Sequence, residues 1–456
     1  MAVDKNLFLY DLAVVAIAKD ESPYLKEWLD YHLLAGVNHF YIYDNQDDDK
    51  QKEVLQPYID AGLVTHIPYP GKARQYEAYN DAIQDYRFFC RYMAFIDCDE
   101  FVFPQTNRSI VEVVDEIFSE YPIVEETQLT AAGLGVNIYT FGSNFQEKAD
   151  YSKGVLERFT RRAAEDWIPF FDDGKPSGTA HIKTIADPRR IEYLYNPHFA
   201  SYYIGIGAIN ENGKRVRYFF NNPPTVEKIV MHHYREKSRE EYIKKVNRGT
   251  ADVMYNIYHY DEEKYTHETG TNKIFDDSIL KYRDARKKNL GVAELEHDDF
   301  LKKMSELNAI DYNKKFVVLL QNLAPAFVEN APQNFFTQKM EIFLICRKLS
   351  EVLREKNFLD QTIVNALEET ALKCTNKTLL MTSTTTVMDL LLLADELPNI
   401  LPLKYPVVDD IRSNCLEIIP KILNVYRTYD AISWLKFVNM KYVLKMLELF
   451  DHYELK

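Results

Sequence analysis

The sequence predicts an α/β protein that continues into an all-helical region, and three observations carry that reading. Short β-branched runs alternate with amphipathic helical stretches through the first hundred residues. A mixed middle third combines a glycine-rich segment with an irregular loop. After about Gly291 glycine is lost and apolar residues recur at three- and four-residue spacing. The expected division is therefore an α/β domain over 1–290 and a helical domain of unknown role over 291–456.

The first strand is expected over 12–18, LAVVAIA, an apolar run of the kind buried in a parallel sheet. Residues 24–36 follow as a helix, with Leu25, Trp28, Leu29, His32 and Leu33 on one face, Pro23 just before it and Gly36 at its end. HFYIY at 39–43 is the second strand, closed by the polar run DNQDDDK. Residues 51–61 read as a helix, 63–67 as a third strand, 72–90 as a long helix and YMAFI at 92–96 as a fourth strand. Strands separated by helices of this length build right-handed βαβ units and an α/β sandwich. The middle third, about 109–290, carries AAGLGVNIYTFGSN and the loop DDGKPSGTAH. Beyond it, 335–356 and 408–426 show helical periodicity, and TSTTT at 382–386 is a capping or turn segment.

A chain of 456 residues suits two or three domains of about 150 residues each. Its 55 Lys+Arg against 69 Asp+Glu leave a net charge of −14, so no broad phosphate-backbone footprint exists and nucleic acid is not an expected partner. A local basic pocket for one nucleotide stays compatible with that balance. Hydrophobic residues at 46% exclude wholesale disorder. The 32 Tyr and 26 Phe point first to aromatic packing and second to carbohydrate contact. Five cysteines (Cys90, Cys98, Cys346, Cys374, Cys415), with no C-x-x-C, make neither a disulfide framework nor a zinc knuckle, which places the chain in a reducing compartment. The N-terminus lacks a basic leader and a cleavage site, and no stretch approaches the roughly 18 apolar residues of a membrane span. The expected setting is cytoplasmic, with peripheral contact at the inner face of a membrane left open.

Three constellations can carry chemistry. Asp97-Cys98-Asp99-Glu100-Phe101 follows the fourth strand, where ligands of an α/β sheet collect. Two carboxylates at i and i+2 around a strand end can turn toward one hard cation, which in turn neutralises a diphosphate; a solvated acidic turn is the plainer alternative. Lys19-Asp20-Glu21 and Asp44-Asn45 end the first two strands, at the same rim under the usual nucleotide-binding strand order. Their side chains suit the ribose and base of a nucleotide, while Asp20 and Ser22 also suit helix capping. In His232-His233-Tyr234-Arg235-Glu236-Lys237-Ser238, a histidine beside Arg and Lys can complete a metal shell or face a phosphate leaving group. Adjacent strand residues face opposite ways, so at most one histidine serves a site.

In this order the landmarks resemble glycosyltransferase family 92 and its relatives in the family-2-like clan. The resemblance rests on Lys19–Glu21, Glu27–His32 with Gly36, HFYIYDN, Gln75 with Ala78-Tyr79-Asn80-Asp81, and Ala94–Phe101. Later landmarks are Phe141-Gly142-Ser143, Lys183-Thr184-Ile185, His198, and His233-Tyr234 with Lys237-Ser238, Lys245 and Arg248-Gly249. It covers roughly 12–250. Asp20 stands where such relatives usually carry Asn, and Cys98 where they carry an aliphatic or small residue.

The resemblance implies a GT-A-type nucleotide-sugar-binding domain that moves a sugar, galactose among the expected ones, from a UDP-linked donor with Mn²⁺ or Mg²⁺. It implies Asp97, Asp99 and His233 as metal ligands, with His198 a rival to His233. Lys19 would bind the donor, Glu21 and Asp44 would meet its nucleoside, Gln75 and Asn80 its phosphates or sugar, and Lys237 the departing diphosphate. The acceptor implied is a glycan or lipid-linked sugar in polysaccharide biosynthesis. Transfer with inversion needs a base on the acceptor side. Glu165 and Asp166, beside Trp167, are the candidates, Glu157, Asp172 and Asp173 the rivals; a solvated helix end explains the same acids, and a retaining enzyme needs no such base. A sugar nucleotidyltransferase would want a glycine-rich phosphate loop after the first strand, and KDESPYLKEW has none. An inactive relative acting as a scaffold is the other alternative. The helical region can pack on the first domain, form a homo-oligomer face or touch a membrane.

Overall fold

A computed structural model describes residues 8–309 except 88, 125, 172, 204 and 249–267. The opening alternation is present as β1 (Tyr10–Ala18), α1 (Ser22–Leu34), β2 (His39–Asp44), α2 (Lys50–Asp60), β3 (Val64–Pro68), α3 (Gln75–Tyr86) and β4 (Cys90–Phe95). The helix expected over 72–90 is shorter than the pattern suggested. Cys90 belongs to β4, where it pairs with Tyr10 in a fully buried strand, and sheet burial outweighs helical continuation there. Asp20 does not cap α1 as expected. The N-cap position is Glu21, without a side-chain cap bond, and the Asp20 carboxylate instead accepts from Gln46 Nε2 at 2.9 Å.

The chain continues through β5 (Glu100–Pro104), α4 (Ile110–Glu120), β6 (Ile123–Val124), β7 (Leu129–Thr140), α5 (Val155–Arg158) and β8 (Arg161–Arg162). The glycine-rich AAGLGVNIYT segment lies in β7, a long buried strand. There follow β9 (Ile182–Ala186), β10 (Ile191–Asn196), β11 (Phe199–Tyr202), β12 (Ile206–Ile209), β13 (Arg215–Val216) and β14 (Ile229–His233). The described part closes with α6 (Arg239–Arg248), β15 (Ile274–Phe275), α7 (Ser278–Leu290) and α8 (His297–Leu307).

The main sheet has the order β13-β12-β7-β9-β4-β1-β2-β3, with β14 paired to β5 and β7. Strand β1 runs parallel to both β2 and β4, and β2 to β3. Their carboxyl ends therefore open on one rim, which carries Lys19–Glu21, Asp44–Asn45 and Asp97–Asp99. Strand β9 lies antiparallel between β4 and β7, setting Thr184 beside Phe95. Strand β14 lies antiparallel to β5 and pairs His233 with Glu100.

Helix α1 braces this region from below. Its buried face holds Trp28 and Tyr31, whose polar tips reach the Glu100 carbonyl at 2.8 Å and the Val102 carbonyl at 2.9 Å. Both rings thus bury their bulk in the core and still fix the backbone of β5. Beyond residue 290, α8 packs Phe300, Leu301 and Met304 into the same core, and Ser305 donates to the Ala61 carbonyl at 2.8 Å. The remainder of the expected helical domain, with the segments at 335–356, 382–386 and 408–426, lies outside the described residues, as do Cys346, Cys374 and Cys415. Cys90 and Cys98 are buried free thiols. No described helix is long and apolar enough to cross a membrane.

Candidate active site

The centre of the rim is an acidic cluster held by buried cations. Asp97 has both carboxylate oxygens engaged: Oδ1 accepts from Gln75 Nε2 at 2.8 Å and from Tyr79 at 3.3 Å, and Oδ2 meets Lys183 Nζ at 2.9 Å. Lys183 lies on β9 with its side chain 0% exposed and also reaches Glu100 Oε2 at 3.1 Å. That same oxygen accepts the Asp97 backbone N–H at 2.9 Å. Glu100 is fully buried, and its other oxygen, Oε1, has no hydrogen-bond partner among the described residues. Burial, opposed by Lys183 and reinforced by Asp97, pushes its carboxyl up to about 7.

Asp99 faces two ammonium groups and a histidine. Lys245 Nζ is 2.5 Å from Oδ2, Lys237 Nζ 4.0 Å from the same oxygen, and His233 Nε2 3.5 Å from Oδ1. Burial alone would raise the Asp99 carboxyl; Lys245, His233 and Lys237 hold it well below the ordinary carboxylate range. Lys237 is buried in a left-handed backbone conformation, φ 55°, with its ammonium over the Tyr24 ring at 4.4 Å. Burial pulls that ammonium down despite the nearby acids. The geometry thus concentrates cationic side chains where an anionic leaving group would be stabilised.

At the β1 end of the rim, Glu21 is buried. Its Oε1 meets Arg248 Nη1 at 2.8 Å, and its Oε2 has no partner among the described residues. Arg248 also donates to the Lys19 carbonyl, so Lys19 takes part through its backbone. Asp44 is committed differently. Its carboxylate accepts from Gln51, from the Gln46 N–H and from His66 at 2.8 Å, which makes it a brace for the loop after β2.

The other expected residues are placed as follows. Asn80 spends its amide on the backbone of β10, donating to the Leu194 carbonyl and accepting from the Leu194 N–H, both at 2.8 Å. His198 is half-buried with Nδ1 at 2.9 Å from the Ile182 carbonyl, and its enclosure, with Lys183 nearby, lowers its pKa well below the ordinary range. Glu165 and Asp166 are both exposed, and Glu165 pairs with Arg162 at 3.5 Å. Among the rivals, Glu157 pairs with Arg283 and Asp173 with Lys175, while Asp172 lies outside the described residues. The adjacent histidines divide as strand geometry requires. His232 is sealed among Phe103, Tyr139 and Phe141, where burial lowers its pKa to about 3, and His233 alone reaches Asp99.

Lys183, Lys245 and Arg248 had entered only as landmarks, and Glu100 only as a neighbour of the acids. For Lys183 a signal was present, since a lone lysine inside the apolar strand IKTIA requires a buried counter-charge. Nothing local marked Lys245, whose partner is distant in sequence.

For a divalent cation the donors present are Asp99 Oδ1 and His233 Nε2, close enough to meet at one ion. Among the described residues, no three His, Cys, Asp or Glu side chains form a ready-made cation cage. The pair therefore fits a cation that takes the rest of its shell from a ligand, and Asp97 stands beside it tied to Lys183.

The family model of glycosyltransferase family 92 matches residues 15–289, more than half of the chain. A family 92 protein of Oryza sativa subsp. japonica is 28% identical over 156 residues, 34% of this chain and 25% of that protein. One of Ricinus communis is 26% identical over 128 residues, 28% of this chain and 23% of that protein. A galactan beta-1,4-galactosyltransferase of Arabidopsis thaliana is 30% identical over 111 residues, 22% of this chain and 21% of that protein. The chain thus spans about a quarter of the length of the curated relatives it matches.

Proposed function

The chain belongs to glycosyltransferase family 92, and from that premise we propose that it transfers a hexosyl unit from a UDP-sugar to a glycan or lipid-linked sugar acceptor, with inversion. Galactose is the sugar we propose, because galactosyl transfer is in the printed names of the Arabidopsis relatives. The observation that carries the reading is the rim itself. A buried carboxylate with an unpartnered oxygen, Glu21, stands at one end, and Asp99 with Lys245, Lys237 and His233 stands at the other. A ribose or base donor group suits the first, and a diphosphate suits the second.

In this reading Glu21 accepts from the nucleoside, with Arg248 fixing its other oxygen. Lys237 and Lys245 neutralise charge on the departing diphosphate, and burial strengthens the short-range effect of Lys237. A Mn²⁺ or Mg²⁺ ion would be held by Asp99 and His233 and would supply further neutralisation of that charge. Asp97, fixed by Gln75 and Lys183, orients the turn that carries Asp99. Inversion requires a base on the acceptor side to take the hydroxyl proton. Asp166 and Glu165 remain the proposed carboxylates, and both are accessible to an incoming acceptor.

Calorimetric titration of UDP into the full chain, with and without Mn²⁺, tests the reading. Binding that strengthens with Mn²⁺ and is lost in Asp99→Ala supports it. Failure to bind UDP under either condition overturns it.

A further inference from the structure

Most of the abundant aromatic rings pack inside the core; several are exposed, and three of the exposed ones lie within one network of ring contacts. Tyr195 is 48% exposed, Tyr218 54% and Phe171 47%. They belong to one connected surface. Tyr193 and Tyr195 have ring centroids 6.1 Å apart, and Tyr195 lies within electrostatic reach of Tyr218. Tyr218 stacks on Phe220 at 5.8 Å, and Phe220 touches Phe219 at 5.4 Å. His181 then meets both Phe219 at 5.7 Å and Phe171 at 5.5 Å.

The segment beneath these rings leads to the acidic rim. His181 lies 5.0 Å from His198, and Lys183, two residues on, holds Asp97. The β10–β11 hairpin that carries Tyr193 and Tyr195 is pinned at two places. Its tip is fixed by His198 to the Ile182 carbonyl, and β10 is fixed by the paired hydrogen bonds of Asn80. Asn80 sits on α3, the helix whose first residue, Gln75, holds Asp97. One helix therefore holds both Asp97 and the strand that carries half-buried Tyr193 and exposed Tyr195.

We propose that Tyr193, Tyr195, Tyr218 and Phe220 form a platform for the acceptor, an uncharged oligosaccharide whose growing end then reaches the Asp97–Asp99 rim. This rests on the transferase reading given above. A sugar ring presents a face of weakly positive C–H bonds, which suits the negative face of an aromatic ring, and its hydroxyls stay in water or meet the tyrosine OH groups. Exposed aliphatic side chains would bury apolar area without that match. A row of rings rather than one pocket predicts affinity that grows with acceptor length.

The test uses the full chain saturated with UDP and titrated with β-1,4-linked galacto-oligosaccharides of increasing length. Tyr195→Ala/Tyr218→Ala is compared with the wild type and with Tyr195→Phe/Tyr218→Phe. Both positions are exposed, so the thermal midpoint should hold. The expected result is affinity that rises with length in the wild type and falls about tenfold for each ring removed. The Phe variant should keep most of it, and UDP affinity should be equal in all three. Equal oligosaccharide binding by the Ala variant, or no binding by a wild type that still takes UDP, overturns the platform while leaving the transferase reading standing. A wild type that takes no UDP overturns the transferase reading instead. A change in sedimentation coefficient caused by the Ala substitutions would show the rings covered by a second copy, which also overturns the platform.

Discussion

Replacing Lys183 by Met removes an ammonium that serves both Asp97 and Glu100, and its cost should depend on pH in a way that identifies the cause. The lysine is fully buried, so its loss strands its partners. Asp97 is 35% exposed and can recover part of its hydration. Glu100 is 0% exposed and cannot. Breaking a buried pair from one side costs about 3–5 kcal/mol when the remaining charge stays ionised. Glu100, however, has its carboxyl already pushed up to about 7, against 4.5 ordinarily. A carboxyl raised in the folded state gives stability that is present below the unfolded value and is lost as pH rises through the folded one. At pH 5 Glu100 is protonated in wild type and variant alike, and the loss reduces to the half-hydrated Asp97, about 1–2 kcal/mol. Above pH 7 the wild type ionises Glu100 against Lys183, whereas the variant must either bury a bare carboxylate or hold a proton. There the loss should reach the full range. Urea denaturation at pH 5 and pH 8 measures both values, with an unchanged dependence on denaturant showing that the folded state is intact. Adding Glu100→Gln should recover much of the loss at pH 8 and little at pH 5. A loss of equal size at both pH values, or no recovery at pH 8, would refute the argument that Lys183 is there to hold Glu100.

Other consequences are as direct. Asp99→Asn should lower turnover of a UDP-sugar by about 100-fold or more, since Lys245 and Lys237 lose the charge that positions them; steady-state kinetics at saturating donor reads it. Glu241 binds Arg158 through both guanidinium nitrogens at 2.8 and 3.0 Å, accepts from Ser238, and meets Tyr24 at 2.8 Å. Glu241→Gln should therefore cost about 3–5 kcal/mol at pH 7 by denaturant melting. Its carboxyl is lowered from 4.5 to about 2, with Arg158 and Ser238 overcoming burial, so its contribution is present above pH 4.5 and fades as pH falls toward 2. The variant's stability should accordingly fall less than the wild type's over that acid window. Ser109 closes a reciprocal capping box with Glu112 at the start of α4, and Ser109→Ala should cost about 1 kcal/mol in the same assay.

What the sequence disclosed follows from how far each interaction reaches along the chain. The parallel strands and their helices were legible because each is written in a local period, and the rim follows from where parallel strands end. Asp97 and Asp99 were legible for the same reason, being two residues apart behind an apolar run. Their true partners were not. Lys183 reaches Asp97 across 86 positions and Lys245 reaches Asp99 across 146, pairings that only the sheet order creates. Asn80 shows the converse. Its place in a Q-x-x-A-x-N-D helix suggested the donor, yet its amide faces the edge of β10, because the helix turns Gln75 and Asn80 toward different neighbours. A motif read along one helix names residues, but the direction in which each side chain leaves the helix decides its work. By that logic Asn80→Ala should act on the aromatic hairpin, weakening oligosaccharide affinity while UDP affinity stays unchanged. Equal loss of both would return Asn80 to the donor site that its motif first suggested.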